Sequence, residues 1–136
     1  MSVFVIIKPD AMIRGLVGKI ISRFEDKELF IVRIEIKHKN AAWCSKHYNH
    51  LPDDILEQVC EFMTEHPIIG ICFAGERAHQ IAKRLVGRTD STEAEPGTIR
   101  GDYGSTPIMR NIIHVSDSFE NSKRESDLFF NHRTDK

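Results

Sequence analysis

The residue whose position most clearly suggests chemistry is His114, which ends a short apolar run and precedes the polar segment Ser116-Asp117-Ser118. An imidazole can act as a nucleophile when its second ring nitrogen is held in one tautomer. Glu125, on the helix expected to follow, is a candidate to hold that nitrogen, and Ser116 could orient the carboxylate in turn. These residues therefore predict a nucleophile at His114, a carboxylate at Glu125 that holds its ring, and a hydroxyl at Ser116 that orients this carboxylate.

A set of basic and hydroxyl side chains in the second half of the chain could bind phosphate. Arginine presents a fork of donors that matches phosphate oxygens, and phosphoryl transfer depends mainly on positioning and on neutralising charge. Taken alone, the same residues are also typical of a solvated surface, and without other information that interpretation is favoured. Segment 15–19 is not a phosphate-binding P-loop, because two residues rather than four separate its glycines. The set consists of Lys83, Arg84, Arg88, Thr89, Arg100 and Arg110.

The elements that must position these residues follow from hydrophobic periodicity. Apolar runs predict buried strands, alternation predicts a strand with one solvated face, and apolar residues at three- and four-residue intervals predict helices. The predicted strands are 3–7, 32–37, 67–73 and 112–113, and the predicted helices are 16–27, 41–50, a short one after Asp53, 76–86 and one that carries 122–125.

The order of these elements is two β-α-β units around a helical hairpin. That order predicts a ferredoxin-like α/β sandwich, in which helices cover a four-stranded antiparallel sheet. The chain, residues 1–136, is expected to form a single domain. The segment 88–107 lacks hydrophobic periodicity and is rich in glycine and proline, so it is expected to be a long loop with a functional role.

Two local patterns carry further expectations. In the strand at 32–37, Val32, Ile34 and Ile36 alternate with charged residues, and the charged side is expected to face solvent. Ser116-Asp117-Ser118 is a helix-starting cluster, and the last helix is expected to carry Ser122-Lys-Arg-Glu125, which matches a capping box.

Composition limits the class of protein. The 136 residues are 40% hydrophobic and 29% charged with a net charge of −1, which fits one compact domain and makes a general nucleic-acid binder unlikely on electrostatic grounds. The early apolar run 3–7 is too short to span a membrane or to form a signal-peptide core, which favours a cytoplasmic protein with no membrane partner.

Cys44, Cys60 and Cys72 are odd in number and widely spaced, so they are expected to be reduced thiols. Cys44, His47 and His50 follow one another at three-residue steps, but no fourth ligand follows at a usual spacing, so a zinc site there is not expected.

Several motifs in order along the chain resemble the nucleoside diphosphate kinase family, and the resemblance covers nearly the whole chain. In that family a histidine takes the γ-phosphoryl of a nucleoside triphosphate and passes it to a nucleoside diphosphate, and His114 stands at its place. The matching segments are Ile-Lys-Pro-Asp at 7–10, Arg-Gly-Leu-Val-Gly at 14–18, His47-Tyr48, 96–102, Asn-Ile-Ile-His at 111–114, and 116–118.

The resemblance implies further roles. Lys8 would contact the transferred phosphoryl and the ribose 3′-hydroxyl, Tyr48 would lie beside His114, and Asn111 would bind the ribose. Thr89 and Arg100 would bind phosphates. The cofactor implied is Mg²⁺, carried mainly by the nucleotide phosphates and water, since no carboxylate cage is visible beyond the nearby Asp117.

This chain also departs from the family pattern. The family usually has Gly after the catalytic histidine, and Val115 is expected to fit there in an extended conformation. The aromatic residue that stacks on the base is missing from 51–58, where Ile55 or Leu56 lies nearest its place, and Ile108 is expected on the other face of the base. Lys83 stands where an arginine is usual, and Arg84 or Arg88 could compensate. Weaker nucleotide binding than is usual for the family is therefore expected.

The sequence thus predicts a ping-pong nucleoside diphosphate kinase of broad base specificity that forms a homo-oligomer, a hexamer or tetramer. Two alternatives remain open at this point. One is a binding or regulatory module that keeps the fold without efficient catalysis, although an intact His114 argues against it. The other is a nucleic-acid-binding protein, which is disfavoured because aromatic residues are only 8% of the chain and Tyr103 is the only one in the basic loop.

Overall fold

The computed structural model describes residues 2–131, which form an α/β sandwich with four strands and seven helices. The strands are β1 (Ser2–Ile7), β2 (Phe30–Lys37), β3 (Ile68–Ala74) and β4 (Ile113–Val115). The helices are α1 (Pro9–Ile13), α2 (Val17–Asp26), α3 (Ala41–His47), α4 (Asp53–Met63), α5 (Ala78–Val86), α6 (Ile99–Tyr103) and α7 (Phe119–Phe130). Within the described range, no helix combines the length and apolar character needed to cross a bilayer.

The sheet has the order β2-β3-β1-β4, and its three strand pairings are all antiparallel. This arrangement confirms the ferredoxin-like sandwich with a four-stranded antiparallel sheet. Residues 132–136 of the expected single domain lie outside the described part of the chain. The segment 88–107, expected to be a loop throughout, contains the short helix α6, and α1 was also not predicted.

Both faces of the central strand β1 are buried, as its continuous apolar sequence predicts. Val3, Val5 and Ile7 join the core that packs against α2 and α5, whereas Phe4 and Ile6 join the core that packs against α3, α4 and α7. Side chains alternate between the two faces of a strand, so one five-residue apolar run supplies both layers.

Close approach of α7 to the sheet depends on a glycine in β3. A Cβ atom added at Gly70 would collide with the ring of Phe129, which is fully buried. This contact fixes the height of α7 above the sheet and therefore the position of Glu125 on the same helix.

The prediction for the alternating strand was wrong about which side is covered. Val32 and Ile36 in β2 are 64% and 65% exposed, whereas the side chain of Lys37 is only 8% exposed and the guanidinium of Arg33 lies 4.2 Å from the ring centre of Phe130. The reason is topological, because β2 is an edge strand, α5 packs on β1 and β4, and α7 packs on β1 and β3. The sheet thus leaves an apolar face open to solvent at one edge.

The prediction of reduced thiols was wrong for two of the three cysteines. Cys44 in α3 and Cys60 in α4 form a disulfide, with Cα atoms 5.7 Å apart, and Cys72 is free. The two helices pack on each other, and this brings together residues that are 16 positions apart in the sequence. The disulfide also removes Cys44 from any metal site with His47 and His50.

The last helix begins at the predicted helix-starting cluster 116–118, and the capping-box pattern 122–125 does not cap it. Ser118 caps α7 by accepting a hydrogen bond from the Asn121 amide, so Ser122 lies inside the helix. The hydroxyl of Ser122 accepts a hydrogen bond from the backbone amide of Phe4 instead. Glu125 is thereby free of a capping role and points toward the sheet, where it contacts His114.

Candidate active site

The three residues expected to form a nucleophile and its support lie in contact. Nε2 of His114, in β4, is 2.7 Å from Oε1 of Glu125 in α7, and the Ser116 hydroxyl donates to the same oxygen over 2.6 Å. Burial alone would raise the pKa of Glu125, but the hydrogen bond and charge of His114, together with the Ser116 hydroxyl, lower it to about 2. An ionised carboxylate accepts a hydrogen bond from Nε2–H, so the lone pair of the neutral imidazole is on Nδ1.

The backbone just before β4 is held in an uncommon conformation. Ile112 has φ of 79°, which is costly for a β-branched residue. Asp10 Oδ2 accepts from the Ile112 amide over 3.0 Å, and the Ile112 carbonyl accepts from the Lys8 amide over the same distance. These contacts with the start of α1 fix where β4 begins, and Ile6 of β1 then pairs with His114.

Val115 was expected to take an extended conformation, and it does. It is the last residue of β4 and pairs with Val5 of β1, so a side chain at this position causes no backbone strain.

Lys8 and Asn111 form a buried polar pair beside the histidine. Nζ of Lys8 donates to the Met109 carbonyl over 2.6 Å and to Oδ1 of Asn111 over 2.8 Å. The amide group of Asn111 donates in turn to the Thr89 carbonyl over 2.8 Å. Burial is the main cause that lowers the pKa of Lys8, to about 7, with a smaller contribution of the same sign from Arg100.

Arg100, on α6, connects the loop to the start of β4. Its guanidinium donates to the carbonyls of Gly87, Asn111 and Ile113, and the shortest of these bonds is 2.6 Å. Burial lowers the pKa of Arg100 to about 10, so it still carries its charge at neutral pH. The functional role expected for the segment 88–107 rests on this residue and on Thr89.

One cavity of about 870 Å³ collects most of the predicted site residues. Ile55 and Ile108 line it and are 45% and 54% exposed, which suits residues that cover a ligand. The candidates that line the cavity are Lys8, Tyr48, Ile55, Lys83, Thr89, Arg100, Ile108, Asn111, His114, Asp117 and Glu125.

Two site candidates do not line the cavity. Leu56 packs against the core beneath α4. Of the two aliphatic residues expected near the base, Ile55 is therefore the one that lines the cavity. Ser116 is fully buried and reaches the site only through Glu125.

Some of the predicted basic residues line the cavity and others do not. Arg88 lines it, whereas Arg84 and Arg110 do not. Lys83 lines it too, with Nζ 3.9 Å from Oδ1 of Asp117, and both side chains are more than half exposed. Arg84 and Arg88 were both expected as possible compensation for the lysine at position 83. Of these two, Arg88 is the one that can reach a ligand in the cavity.

Two aromatic residues of α3 and its C-terminus pack around His114. The ring centres of His47 and Tyr48 lie 4.7 Å and 6.0 Å from that of His114. Burial raises the pKa of Tyr48, so the hydroxyl keeps its proton at neutral pH. The position of Tyr48 agrees with its expected place beside the histidine.

His47 and Arg124 are site residues to which the sequence analysis gave no role. Arg124 donates to the carbonyls of Lys46 and His47 and lies 3.7 Å from Oε2 of Glu125. Its position directly before Glu125 on the helix was the only signal in the sequence. For His47 the signal in the sequence is its three-residue spacing from Cys44. That spacing is typical of a metal site, which was not expected here.

Comparisons with known proteins agree with this geometry. Residues 2–134 match the family model for nucleoside diphosphate kinase. A protein of Saccharolobus islandicus with that name is 41% identical over 128 residues, covering 93% of this chain and 92% of that protein. A protein of the same name from Pyrococcus furiosus is 42% identical over 129 residues, covering 93% of this chain and 80% of that protein.

Solved structures give the same result. The crystal structure of nucleoside diphosphate kinase from Encephalitozoon cuniculi superposes with a TM-score of 0.90 at 34% identity, covering 98% of this chain and 90% of that one. A nucleoside diphosphate kinase family protein from Babesia bovis superposes with a TM-score of 0.89 at the same identity and coverage. Sequence and fold agree over nearly the whole described chain, and this protein belongs to the nucleoside diphosphate kinase family.

Proposed function

We propose that this chain transfers the γ-phosphoryl group of a nucleoside triphosphate to a nucleoside diphosphate through a phosphohistidine at His114. The observation that carries the proposal is the contact between Nε2 of His114 and Glu125, which leaves the lone pair on Nδ1. That lone pair attacks the γ-phosphorus, the bond to the bridging oxygen breaks, and the nucleoside diphosphate leaves. A terminal oxygen of the acceptor diphosphate then attacks the phosphohistidine, the N–P bond breaks, and His114 is regenerated.

Both half-reactions use the same cavity, which gives ping-pong kinetics. Lys8, Thr89 and Arg100 are proposed to bind the phosphates and Asn111 the ribose, since all four line the cavity near His114. Arg88 and Lys83 supply further positive charge at the wall. Charge neutralisation by these groups suits a loose phosphoryl-transfer transition state.

The residues at the cavity fit a magnesium ion that arrives with the nucleotide. Of the acidic residues that line the cavity within the described chain, Glu125 is held by His114 and Ser116, so Asp117 is the carboxylate available to a metal. Mg²⁺ is commonly held by one or two carboxylates together with substrate phosphates and water. When bound, the ion would supply positive charge that neutralises the charge of the phosphates.

Broad base specificity is proposed from the chemistry of the outer cavity. Ile55 and Ile108 present only aliphatic surface, which cannot discriminate bases by hydrogen bonds to their edges.

Self-association is proposed from the apolar face that β2 leaves open. Val32, Ile34 and Ile36 expose their side chains at the sheet edge, and an exposed apolar surface of this kind marks an interaction site. We expect Ile34→Lys to lower the apparent mass in sedimentation equilibrium, with Lys19→Glu on the exposed side of α2 as a control. An unchanged mass would contradict an interface at β2.

Residues 1–136 are proposed to act as one domain, because residues from Lys8 to Glu125 meet at a single cavity. A cytoplasmic location is proposed because it is typical of the nucleoside diphosphate kinase family.

The decisive experiment is incubation with Mg²⁺ and γ-labelled ATP in the absence of acceptor, followed by a chase with GDP. We expect acid-labile label on the protein, its loss in His114→Ala, and its appearance in GTP during the chase. Absence of label in folded protein that binds nucleotide would contradict the proposal and would identify a binding module with this fold.

A further inference from the structure

His47 is a buried histidine, and its ring nitrogens have no part in the proposed transfer reaction. It is 1% exposed, and neither of its ring nitrogens has a hydrogen-bond partner among residues 2–131. Leaving a buried polar group without a partner destabilises the folded state. A neutral imidazole also keeps one unprotonated nitrogen whose lone pair is available to a ligand.

The side chains around this lone pair form a set of metal ligands. His47, His114 and Glu125 each offer one ligand atom, and these atoms all lie within 4.8 Å of one another. Ligand atoms around a tetrahedral zinc ion are about 3.3 Å apart, given bond lengths of about 2.0–2.1 Å. Small rotations of the side chains therefore bring the three atoms to zinc distance.

The composition of the set selects the class of metal. Two imidazoles and one carboxylate are ligands that zinc and similar transition metals prefer, whereas Mg²⁺ prefers oxygen ligands. Positive side chains at the cavity, including Arg124 at 3.7 Å from Glu125, oppose any cation held only by charge. Nitrogen donors supply the bonding that overcomes this repulsion for a zinc-class ion.

We propose that a zinc-class divalent ion binds His47, His114 and Glu125 and blocks the nucleophile of the enzyme. The ion enters from the cavity, where the side chain of His114 is 21% exposed, and water on the cavity side completes the coordination. The site is distinct from that of the nucleotide-borne magnesium ion, which meets the protein at Asp117.

The block follows from either mode of coordination, and this part rests on the proposed function. If the metal takes Nδ1 of His114, it occupies the lone pair that would attack phosphorus. If it takes Nε2, the proton of the neutral ring must reside on Nδ1, and the attacking lone pair is lost again. A phosphoryl group on Nδ1 equally excludes the metal from that nitrogen, so phosphorylation and zinc binding at Nδ1 compete.

The test measures binding of Zn²⁺ to the whole protein without nucleotide, by competition with a chromophoric chelator. We expect one saturable site in the wild type, weakened at least about tenfold in His47→Phe and in His114→Asn, because each loses one ligand. His50→Gln is the matched control, since His50 is an exposed histidine at the same cavity, and its zinc affinity should match the wild type. Co²⁺ should give visible absorption bands in the wild type that disappear in His114→Asn.

Equal zinc affinity in the wild type and His114→Asn, or no saturable site, would overturn the inference. Should His47→Phe fail to fold, as judged by circular dichroism, His114→Asn carries the test alone because that residue lies at the cavity wall. The labelling experiment with ATP and Mg²⁺ is separate from the zinc titration. Label without zinc binding would refute only the metal site, and zinc binding without label would refute only the proposed transfer reaction.

Discussion

The two ends of the cavity are built in different ways. At the inner end, His114, Glu125 and Ser116 are joined by hydrogen bonds of 2.6–2.7 Å between a strand and a helix that pack on buried cores. At the outer end, Ile55 and Ile108 are about half exposed and contribute only aliphatic surface. From this comparison we expect that the geometry of the reacting groups is well fixed and that the nucleoside is bound more weakly than the phosphates.

The largest expected effect comes from removing the support of the nucleophile at the inner end. In Glu125→Gln the amide no longer provides an ionised acceptor for Nε2–H, so the reactive tautomer of His114 is no longer favoured. We expect the rate of phosphoenzyme formation to fall at least about 100-fold, measured by rapid quench with labelled ATP. Glu120→Gln, an exposed residue of the same helix, should retain the rate. A loss of less than threefold in Glu125→Gln would show that the hydrogen bond to Nε2 is not required.

The disulfide lies beneath the outer end, and breaking it tests whether the two ends are independent. It links α3 to α4, which carries Ile55, and closing a loop of this length stabilises a protein by about 3 kcal/mol or less. We expect Cys44→Ala/Cys60→Ala to lower the free energy of unfolding in denaturant titrations and to raise KM more than it lowers kcat. Cys72→Ala, at the free cysteine, should change neither kinetic constant. A fall in kcat with constant KM would mean that the hairpin also controls the inner end.

Lys8 donates to the Met109 carbonyl and to Asn111 at the cavity, and its charge should make nucleotide binding depend on pH. Its pKa of about 7 means that it loses its charge as the pH rises through 7, and a hydrogen bond to a charged group contributes about 1.5–3 kcal/mol. We expect the affinity for ADP, measured by calorimetry, to fall about tenfold between pH 6 and pH 8. In Lys8→Met this dependence should disappear, whereas Lys19→Met should retain it.

The same pKa shift determines the sign of a change in stability without nucleotide. Above pH 7 the folded state releases the proton of Lys8, whereas the unfolded chain keeps it up to pH 10.5. The free energy of unfolding should therefore rise with pH from 7 toward 9 in the wild type, and it should rise less steeply in Lys8→Met. An identical slope in both proteins would contradict the lowered pKa.

The smallest expected effect is a gain at the outer end. Ile55→Phe introduces an aromatic ring where a base can stack, and such stacking contributes about 1–3 kcal/mol for each base in nucleic-acid sites. We expect the dissociation constant of ADP to decrease by about three- to tenfold, since the side chain is partly exposed. Leu56→Phe is the matched control because Leu56 packs into the core, and it should not tighten binding. Equal affinities in Ile55→Phe and the wild type would show that the base does not contact this residue.

Much of the fold could be predicted because the hydrophobic pattern carries it directly. The run 3–7 is apolar at every position, which fits a strand buried on both faces, and the structure places it at the centre of the sheet. Each predicted strand lies within two residues of the observed one at either end. The helix-starting cluster 116–118 supplies the cap of α7 through Ser118, so the capping-box pattern that begins four residues later lies inside the helix.

The sequence by itself determined the residue types of the site, because His114, Glu125 and Ser116 lie close enough along the chain for their roles to be inferred. Only the tertiary structure decided which of Ile55 and Leu56 faces the cavity, because that choice depends on the rotation of α4 over the core. It likewise decided that Val32 and Ile36 are exposed, because the position of β2 at the sheet edge is set by pairings with distant strands. The contact of His47 with His114 spans 67 positions of the sequence, and no local pattern contains that distance.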